Sequence, residues 1–459
     1  MKKAFLLIFA AIHTYGQVPQ RREFQEGNTT ELIVYEKALP SKKYDFKTSD
    51  LQVKWHVLVM DLLEQTPGYT PLVAARSMAY INLAAYQSIL PAFRNLNSMS
   101  GQIQDFKVPA EYAIDTSDFI PELSLNNAIF ATIDKFFLAA PYVYMERVLA
   151  HKDSVDAYFS RNKSKLAVMK SKNYGISVAE LVLRYADKDG AKESTYRSYD
   201  INYKLPKCES CFEINRSADL ENTGPLHPGW GKVRTFLPEN QQETTIKPDF
   251  EFSIYKDSKF YKQALEVYTV SKEVTPGSEK HRIANFWDDA ATYTYTPVGH
   301  SLSILTQIFR NKPTTIDSAA AVYANLCFAM HDAFVITWGL KYKYNLIRPI
   351  AYIRKYIDSA WETTLLTPPF PEFPSGHSAQ SAAMATVLTK YLGDSTGFTD
   401  YSKYWTGAPK TFKNFWESAN ETSISRLYGG IHYREGLDKG QLAGKLAGEN
   451  ALKLKFFGE

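Results

Sequence analysis

The sequence predicts an all-α protein, and three observations carry that reading. Apolar residues recur at intervals of three and four, as in Trp55, Leu58, Leu62 and Leu63, or in Ala319, Val322, Leu326, Ala329, Ala333, Ile336 and Leu340. That is the period of a helix with one buried face. Alternating apolar runs bounded by turn residues, the mark of strands, are scarce. Near the end, Gly436, Gly440, Gly444 and Gly448 fall four apart, so on a helix they roughly share one face, where a second helix can approach closely.

Taken in order, the chain opens with Met1, Lys2 and Lys3, an apolar run from Ala4 to Ile12, and then His13, Thr14, Tyr15, Gly16 and Gln17. A basic start with a short apolar core reads as a signal peptide over 1–17, too short to span a bilayer. It implies export, to a periplasm or to the outside. No other stretch of about eighteen apolar residues stands out. An N-terminal helical region is expected over 18–254. It begins with a polar arm to residue 50, then a helix from Leu51 that Pro67-Gly68 breaks. A second helix runs from Pro71 to Leu90, with Ala74, Ala75, Ala79 and Ala85 on one face, and further helices fit 123–139, 141–160 and 163–187. Residues 188–248 carry Pro206, Pro225, Pro228 and Pro238 with scattered glycines, the composition of a long ordered loop.

Over 255–459 the helical pattern resumes, from Ser258. A long helix is expected from Ile316 to Lys341, capped by Thr315 or Asp317, and another from Ser375 to Gly393, a residue suited to ending a helix. At 459 residues, one large or two helical domains are needed.

Composition narrows the function. Hydrophobic residues at 45% and charged residues at 22% describe a globular protein. A net charge of +4 with no Lys/Arg stripe argues against a nucleic-acid partner. The aromatic share of 14% suits packed helices and an aromatic-lined pocket. Of three cysteines, Cys208 and Cys211 are spaced for a local disulfide, and Cys327 stands alone in an apolar helix. A zinc knuckle would need a second pair, and a thioredoxin-type site a strand-helix context.

Three segments carry chemistry when read together: Lys341 with Arg348-Pro349, then Pro374-Ser375-Gly376-His377, then Ser425-Arg426 with His432. A tetrahedral oxyanion needs several donors converging on its oxygens. Lys341, Arg348 and Arg426 supply positive charge, and arginine can grip two oxygens at once. Ser375 adds a hydroxyl. Gly376 permits close backbone approach, with its N–H at a helix N-terminus where the dipole favours an anion. Pro349 and Pro374 stiffen the presenting turns. Of the two histidines, one can bond the central atom through a ring nitrogen and the other can serve as acid and base.

These motifs, K-x6-RP, PSGH and SR-x5-H, resemble the three-part signature of the vanadium haloperoxidase and type 2 phosphatidic-acid phosphatase superfamily, bacterial haloperoxidase branch, over about residues 255–455. The resemblance implies a helical fold with two four-helix bundles. It implies vanadate as cofactor, His432 as the axial vanadium ligand and His377 as acid/base near the peroxide. Lys341, Arg348, Ser375, Gly376 and Arg426 would hold vanadate oxygens, Lys341 also polarising the peroxide. Many members of the superfamily carry an Asp four residues after the last His to orient its ring. Here Gly436 stands there, so that orientation is expected from Glu435, Asp438 or a backbone carbonyl.

Haloperoxidase is favoured over phosphatase by Trp338 and Phe370, which resemble halide-pocket aromatics, and by Asn285–Asp289 and Thr296–His300, which resemble a segment of bacterial members. The expected reaction is oxidation of a halide by hydrogen peroxide to hypohalous acid, which halogenates small organic acceptors. Iodide or bromide is favoured over chloride, because Ser378 rather than a second histidine follows His377, the pocket is apolar, and Gly436 removes a carboxylate. The alternatives are a soluble acid phosphatase using His432 as nucleophile, and an oxyanion-binding protein without turnover.

Overall fold

The computed structural model describes residues 48–214, 224–241, 245–291, 293–402, 405 and 407–458. The leader expected over 1–17 lies outside them, as does most of the arm that follows. Among the described residues the regular structure is helical apart from one pair of short strands, as the sequence period predicts. The first helices are α1 (Asp50–Gln65), α2 (Pro71–Ile89), α3 (Pro121–Phe136), α4 (Tyr142–Ser160) and α5 (Lys165–Ala186). After the long loop come α6 (Lys259–Ser271), α7 (Glu279–Phe286), α8 (Thr296–Asn311) and α9 (Ile316–Tyr344). The last are α10 (Pro349–Tyr356), α11 (Gly376–Leu392), α12 (Phe415–Tyr428) and α13 (Arg434–Ala451). One antiparallel pair of short strands, β1 (Phe398–Asp400) and β2 (Lys410–Phe412), sets Phe398 opposite Phe412.

Local chemistry sets the helix ends. The side chains of Thr70, Ser258, Ser278 and Ser375 accept from the backbone N–H three residues on, capping α2, α6, α7 and α11. The cap expected from Thr315 or Asp317 is not made: the Thr315 hydroxyl donates to Ser318 Oγ at 2.9 Å instead. Gly393 ends α11 at φ 98°, as its residue type predicts, and Asn345 ends α9 at φ 47° with its N–H on the Lys341 carbonyl.

Packing divides the helices into two groups joined by α9. In the first, α2, α3 and α5 pack on one another and α4 lies on α3. In the second, α11 packs on α9, α12 and α13. Helix α9 touches α2 on one side and α11 and α13 on the other, so it runs through the centre. It is long and apolar enough to cross a membrane, a property the sequence pattern assigned to no segment, but its apolar stretch is wholly buried in the fold.

The long loop is tied to the same helix. Trp338 Nε1 and Tyr342 OH both donate to the Leu226 carbonyl, at 3.2 and 2.6 Å. Asp332 accepts from Phe236 N, Leu237 N and Asn240 Nδ2 at 2.8–3.0 Å. Cys208 and Cys211 form a disulfide, and Cys211 pairs as an isolated bridge with Leu346, while Cys327 is a buried thiol.

Gly440, Gly444 and Gly448 of α13 face α11. A Cβ on Gly440 would lie 2.5 Å from the Ser375 carbonyl oxygen, and one on Gly444 only 1.8 Å from that of Ala379. Real Cβ atoms do not approach so closely, so glycine is what lets the two backbones meet. This contact brings the start of α13, with His432 just before it, against the start of α11, which carries Ser375 and His377. Ser375 N donates to the Gly436 carbonyl at 2.8 Å across the same contact.

Candidate active site

Four segments meet where α9, α10, α11 and α13 converge. The C-terminal turn of α9 brings Lys341. The connection to α10 brings Arg348, the first turn of α11 brings Ser375, Gly376 and His377, and the end of α12 with the turn after it brings Arg426 and His432. All are buried except His377, which is half-buried. The three cations influence one another and both histidines electrostatically, so the motifs separated in sequence share one site.

Lys341 Nζ donates to the carbonyls of Pro371, Glu372 and Pro374 at 3.0, 3.0 and 2.5 Å. Its three protons therefore brace the segment that leads into Ser375, and its charge is felt at the site. Burial, then the nearby Arg348, holds its pKa well below the ordinary lysine value. Arg348 donates from Nε to the Phe370 carbonyl at 2.9 Å and from Nη1 to the Ile431 carbonyl at 2.7 Å and His432 Nε2 at 3.1 Å. Burial pushes its pKa down to about 10, so it stays charged at neutral pH. Arg426 donates to the Trp287 carbonyl at 2.6 Å and stands 3.7 Å from Asp288.

The aromatic residues close one side. Trp338 and Phe370 lie 4.9 Å apart between ring centroids, and Lys341 Nζ stands over both rings, at 5.5 and 5.0 Å. Gly376 sits against the same wall: a Cβ there would come within 3.2 Å of the Trp338 ring. His377 Nε2 lies 3.3 Å from the Asp288 carbonyl oxygen, which can only accept, so that nitrogen carries the proton and Nδ1 is left as the base. Burial and then Arg426 hold its pKa well below the usual imidazole value.

His432 departs from the sequence expectation. Its Nδ1 lies 2.7 Å from Oε1 of Glu372, in Pro371-Glu372-Phe373-Pro374. Glu435 and Asp438, the expected partners, do not orient it; Glu435 accepts from the Asp249 N–H instead. The reason is spatial: Gly436 has no side chain, and Glu372 reaches the space beside it from another segment. Arg348 can only donate to Nε2, so the ring proton sits on Nδ1 and points to Glu372. Burial pushes Glu372 up to about 7 against the pull of Arg348 and Lys341.

A second buried cluster, outside the three motifs, braces the site. His300 bonds Asp289 through Nδ1 at 2.9 Å and Asp400 through Nε2 at 2.8 Å, all three buried. Burial opposes its charge, but the two carboxylates outweigh that and raise it to about 10. The Trp287 indole stacks on His300 at 4.6 Å. Residues 287–289 are thereby held where Trp287 and Asp288 offer their carbonyls to Arg426 and His377. Asp289 and His300 lie in segments the sequence singled out; Asp400 carries no signal beyond being a carboxylate a hundred residues away.

The donor set fits a tetrahedral oxyanion such as vanadate. Arg348 Nη2 and Arg426 Nε are buried with no hydrogen-bond partner among the described residues. An unpaired buried guanidinium nitrogen is costly, and an anion between the two arginines would satisfy both. Three buried cations with one fully buried carboxylate among them leave an excess of positive charge for an anion to balance.

This buried cluster of cations and imidazoles, set within the second group of helices, lies in the part of the chain that the comparisons also single out. Residues 321–456 match the family described as the VCPO second helical-bundle domain. A bacterial vanadium-dependent iodoperoxidase superposes with a TM-score of 0.79 at 28% identity, over 91% of this chain and 98% of that one. A bacterial vanadium-dependent chloroperoxidase shares the fold at 14% identity in its apo form, TM-score 0.61, over 84% of this chain and 93% of the other. Its holo form gives 0.57, over 85% and 93%. No curated protein matches significantly. The chain thus resembles bacterial vanadium haloperoxidases in fold, and residues 321–456 match a helical-bundle domain model of that kind.

Proposed function

We propose that this chain binds vanadate and oxidises halide with hydrogen peroxide to hypohalous acid, which then halogenates small organic acceptors. The observation that carries this reading is the pair of buried, unpartnered guanidinium nitrogens on Arg348 and Arg426. Vanadate, when bound, would supply a Lewis-acid centre that activates peroxide toward halide without an electron carrier.

The protein's share of the work follows from its own side chains. Arg348 and Arg426 hold the anion, with the Ser375 hydroxyl and the Gly376 N–H at the start of α11. Lys341 adds its charge; to bond the anion or polarise peroxide directly it would release one of its three carbonyls. His432 offers Nε2 as ligand once Arg348 Nη1 gives up that lone pair. His377, neutral at pH 7 with Nδ1 as base, takes the proton from the incoming peroxide. Trp338 and Phe370 give the halide an apolar wall.

Iodide, and then bromide, are the halides proposed, with chloride poor. One sequence ground for this falls away, since Glu372 supplies the carboxylate that Gly436 lacks. The reading rests on Ser378 after His377, on the apolar wall, and on the 28% identity to an iodoperoxidase. Export, to the periplasm or beyond, remains part of the proposal on the strength of residues 1–17.

The test is halide oxidation and phosphomonoester hydrolysis by the purified full chain, stripped of metal and then supplied with orthovanadate. Peroxide-dependent iodide oxidation that appears only with vanadate is expected. Phosphomonoester hydrolysis without halide oxidation would make the chain an acid phosphatase using His432 as nucleophile. Anion binding with neither activity would make it a binding protein.

A further inference from the structure

Glu372 meets His432 in the space that Gly436 leaves open. Both Glu372 and His432 are buried, and Glu372 Oε1 accepts hydrogen bonds from His432 Nδ1 at 2.7 Å and from the Tyr433 N–H at 3.0 Å. Oε2 has no hydrogen-bond partner among the described residues, so the hydrogen bonding of this carboxylate is spent on the turn that carries the ring. Its backbone is fixed on both sides, with its N–H on the Leu346 carbonyl at 3.0 Å and its own carbonyl on Lys341 Nζ at 3.0 Å. A Cβ on Gly436 would lie 2.2 Å from Oε1 and 2.9 Å from the carboxyl carbon. Any side chain at 436 would therefore stand where the Glu372 carboxylate now sits.

We propose that Glu372 is the positioning residue for His432 and that Glu372 and Gly436 form a matched pair, one place for one carboxylate, reachable from either segment. Glu372 Oε1 faces Nδ1 while Arg348 donates to Nε2, and together they place the ring proton on Nδ1 with the Nε2 lone pair toward the arginines. The inference builds on the vanadate reading, in which Nε2 is the ligand atom, but the state of the ring can be read without vanadate.

The test uses the full chain with 15N-labelled histidine, with His432 identified by the signals missing from His432→Ala. Long-range 1H–15N correlation in the anion-free protein is expected to show the Nδ1–H tautomer. Without the acceptor on Nδ1 the ring can turn off Arg348 Nη1, so Glu372→Ala is expected to give mixed tautomers and to weaken orthovanadate binding, measured by calorimetry, by about 10–100-fold. Glu372→Ala with Gly436→Asp should restore the Nδ1–H tautomer and most of the affinity, a rescue that a role in packing alone would not produce. Gly436→Asp by itself, with two carboxylates for one place, should lower the melting temperature. If Glu372→Ala fails to fold, Glu372→Gln keeps the volume. A carboxamide can also donate, so mixed tautomers and weaker binding are expected there too. A wild-type tautomer and affinity in these variants, or no recovery in the double variant, overturns the proposal. A wild-type chain that binds no orthovanadate overturns the vanadate reading instead, and the tautomers still decide the role of Glu372.

Discussion

Arg348 donates from Nη1 to Nε2 of His432 at 3.1 Å and to the Ile431 carbonyl at 2.7 Å, while its Nη2 has no partner among the described residues. One guanidinium thus covers the lone pair that would bind the cofactor and keeps a free donor beside it. Binding an anion would exchange the Nη1–Nε2 bond for charge-assisted bonds to anion oxygens. Arg348→Ala should weaken orthovanadate binding by about 10–100-fold, since hydrogen bonds to charged groups are worth about 1.5–3 kcal/mol. Calorimetric titration with competing phosphate checks it; unchanged affinity would place the anion elsewhere.

Removing His432 should separate tethering from attraction. His432→Ala leaves Arg348, Arg426 and Lys341 in place, so phosphate should still bind within a few-fold of wild type while halide oxidation is lost. Near-wild-type turnover at saturating vanadate would show that a different atom holds the cofactor.

His377 is held neutral, with Nε2 on the Asp288 carbonyl. A base is active when deprotonated, so the rate should fall as pH drops through its pKa, which lies below the usual 6.5. His377→Ala should remove that limb and most of the rate, about 10²–10⁴-fold. Stopped-flow rates with iodide, bromide and chloride across pH test this together with the halide order. Robust chloride oxidation would refute the order, and an unchanged limb the assignment of the base.

The parts of this fold that were legible in the sequence are those set within a few residues. Ser258 and Ser375 cap the helices they were expected to start, Gly393 ends α11, and three of the four-spaced glycines of α13 lie along α11. That Lys341, Arg348, Ser375, His377, Arg426 and His432 would come together was legible because their motifs are local and their residue types are demanding. Glu372 was not: it stands two residues after Phe370, which was singled out, but its partner His432 is 60 positions away. Nothing in spacing or period links the two. The carboxylates near His432 in sequence were the natural expectation, and only the packing of α13 on α11 shows that another segment fills the place.

That packing gives a further prediction. Gly444→Ala would drive a Cβ to 1.8 Å from the Ala379 carbonyl oxygen, where both partners are helix backbone and neither can yield cheaply. The helices must separate, at a cost of about 1–3 kcal/mol typical of overpacking. Because Ser375 and the turn after His432 meet at the same contact, the anion site should loosen as well. A fall in melting temperature together with weaker orthovanadate binding is expected; a variant as stable as wild type would mean that α13 does not lie on α11 this closely.

The His300 cluster ties stability to pH. Its pKa rises from 6.5 to about 10 on folding, because Asp289 and Asp400 outweigh the cost of burial. A folded pKa above the unfolded one means that the contribution is complete below about pH 6.5 and is lost as pH rises through about 10. His300→Gln would leave two buried carboxylates without their cation, a loss of about 3–5 kcal/mol at pH 7. Denaturant unfolding at pH 6, 8 and 10 should show the gap between wild type and variant widest at pH 6 and closing toward pH 10. The damage should also reach the site, because Trp287 and Asp288 hand their carbonyls to Arg426 and His377 from the segment that Asp289 anchors. Orthovanadate binding by the folded variant should therefore be weaker than wild type at pH 7. A gap independent of pH would mean that His300 is uncharged between its two carboxylates.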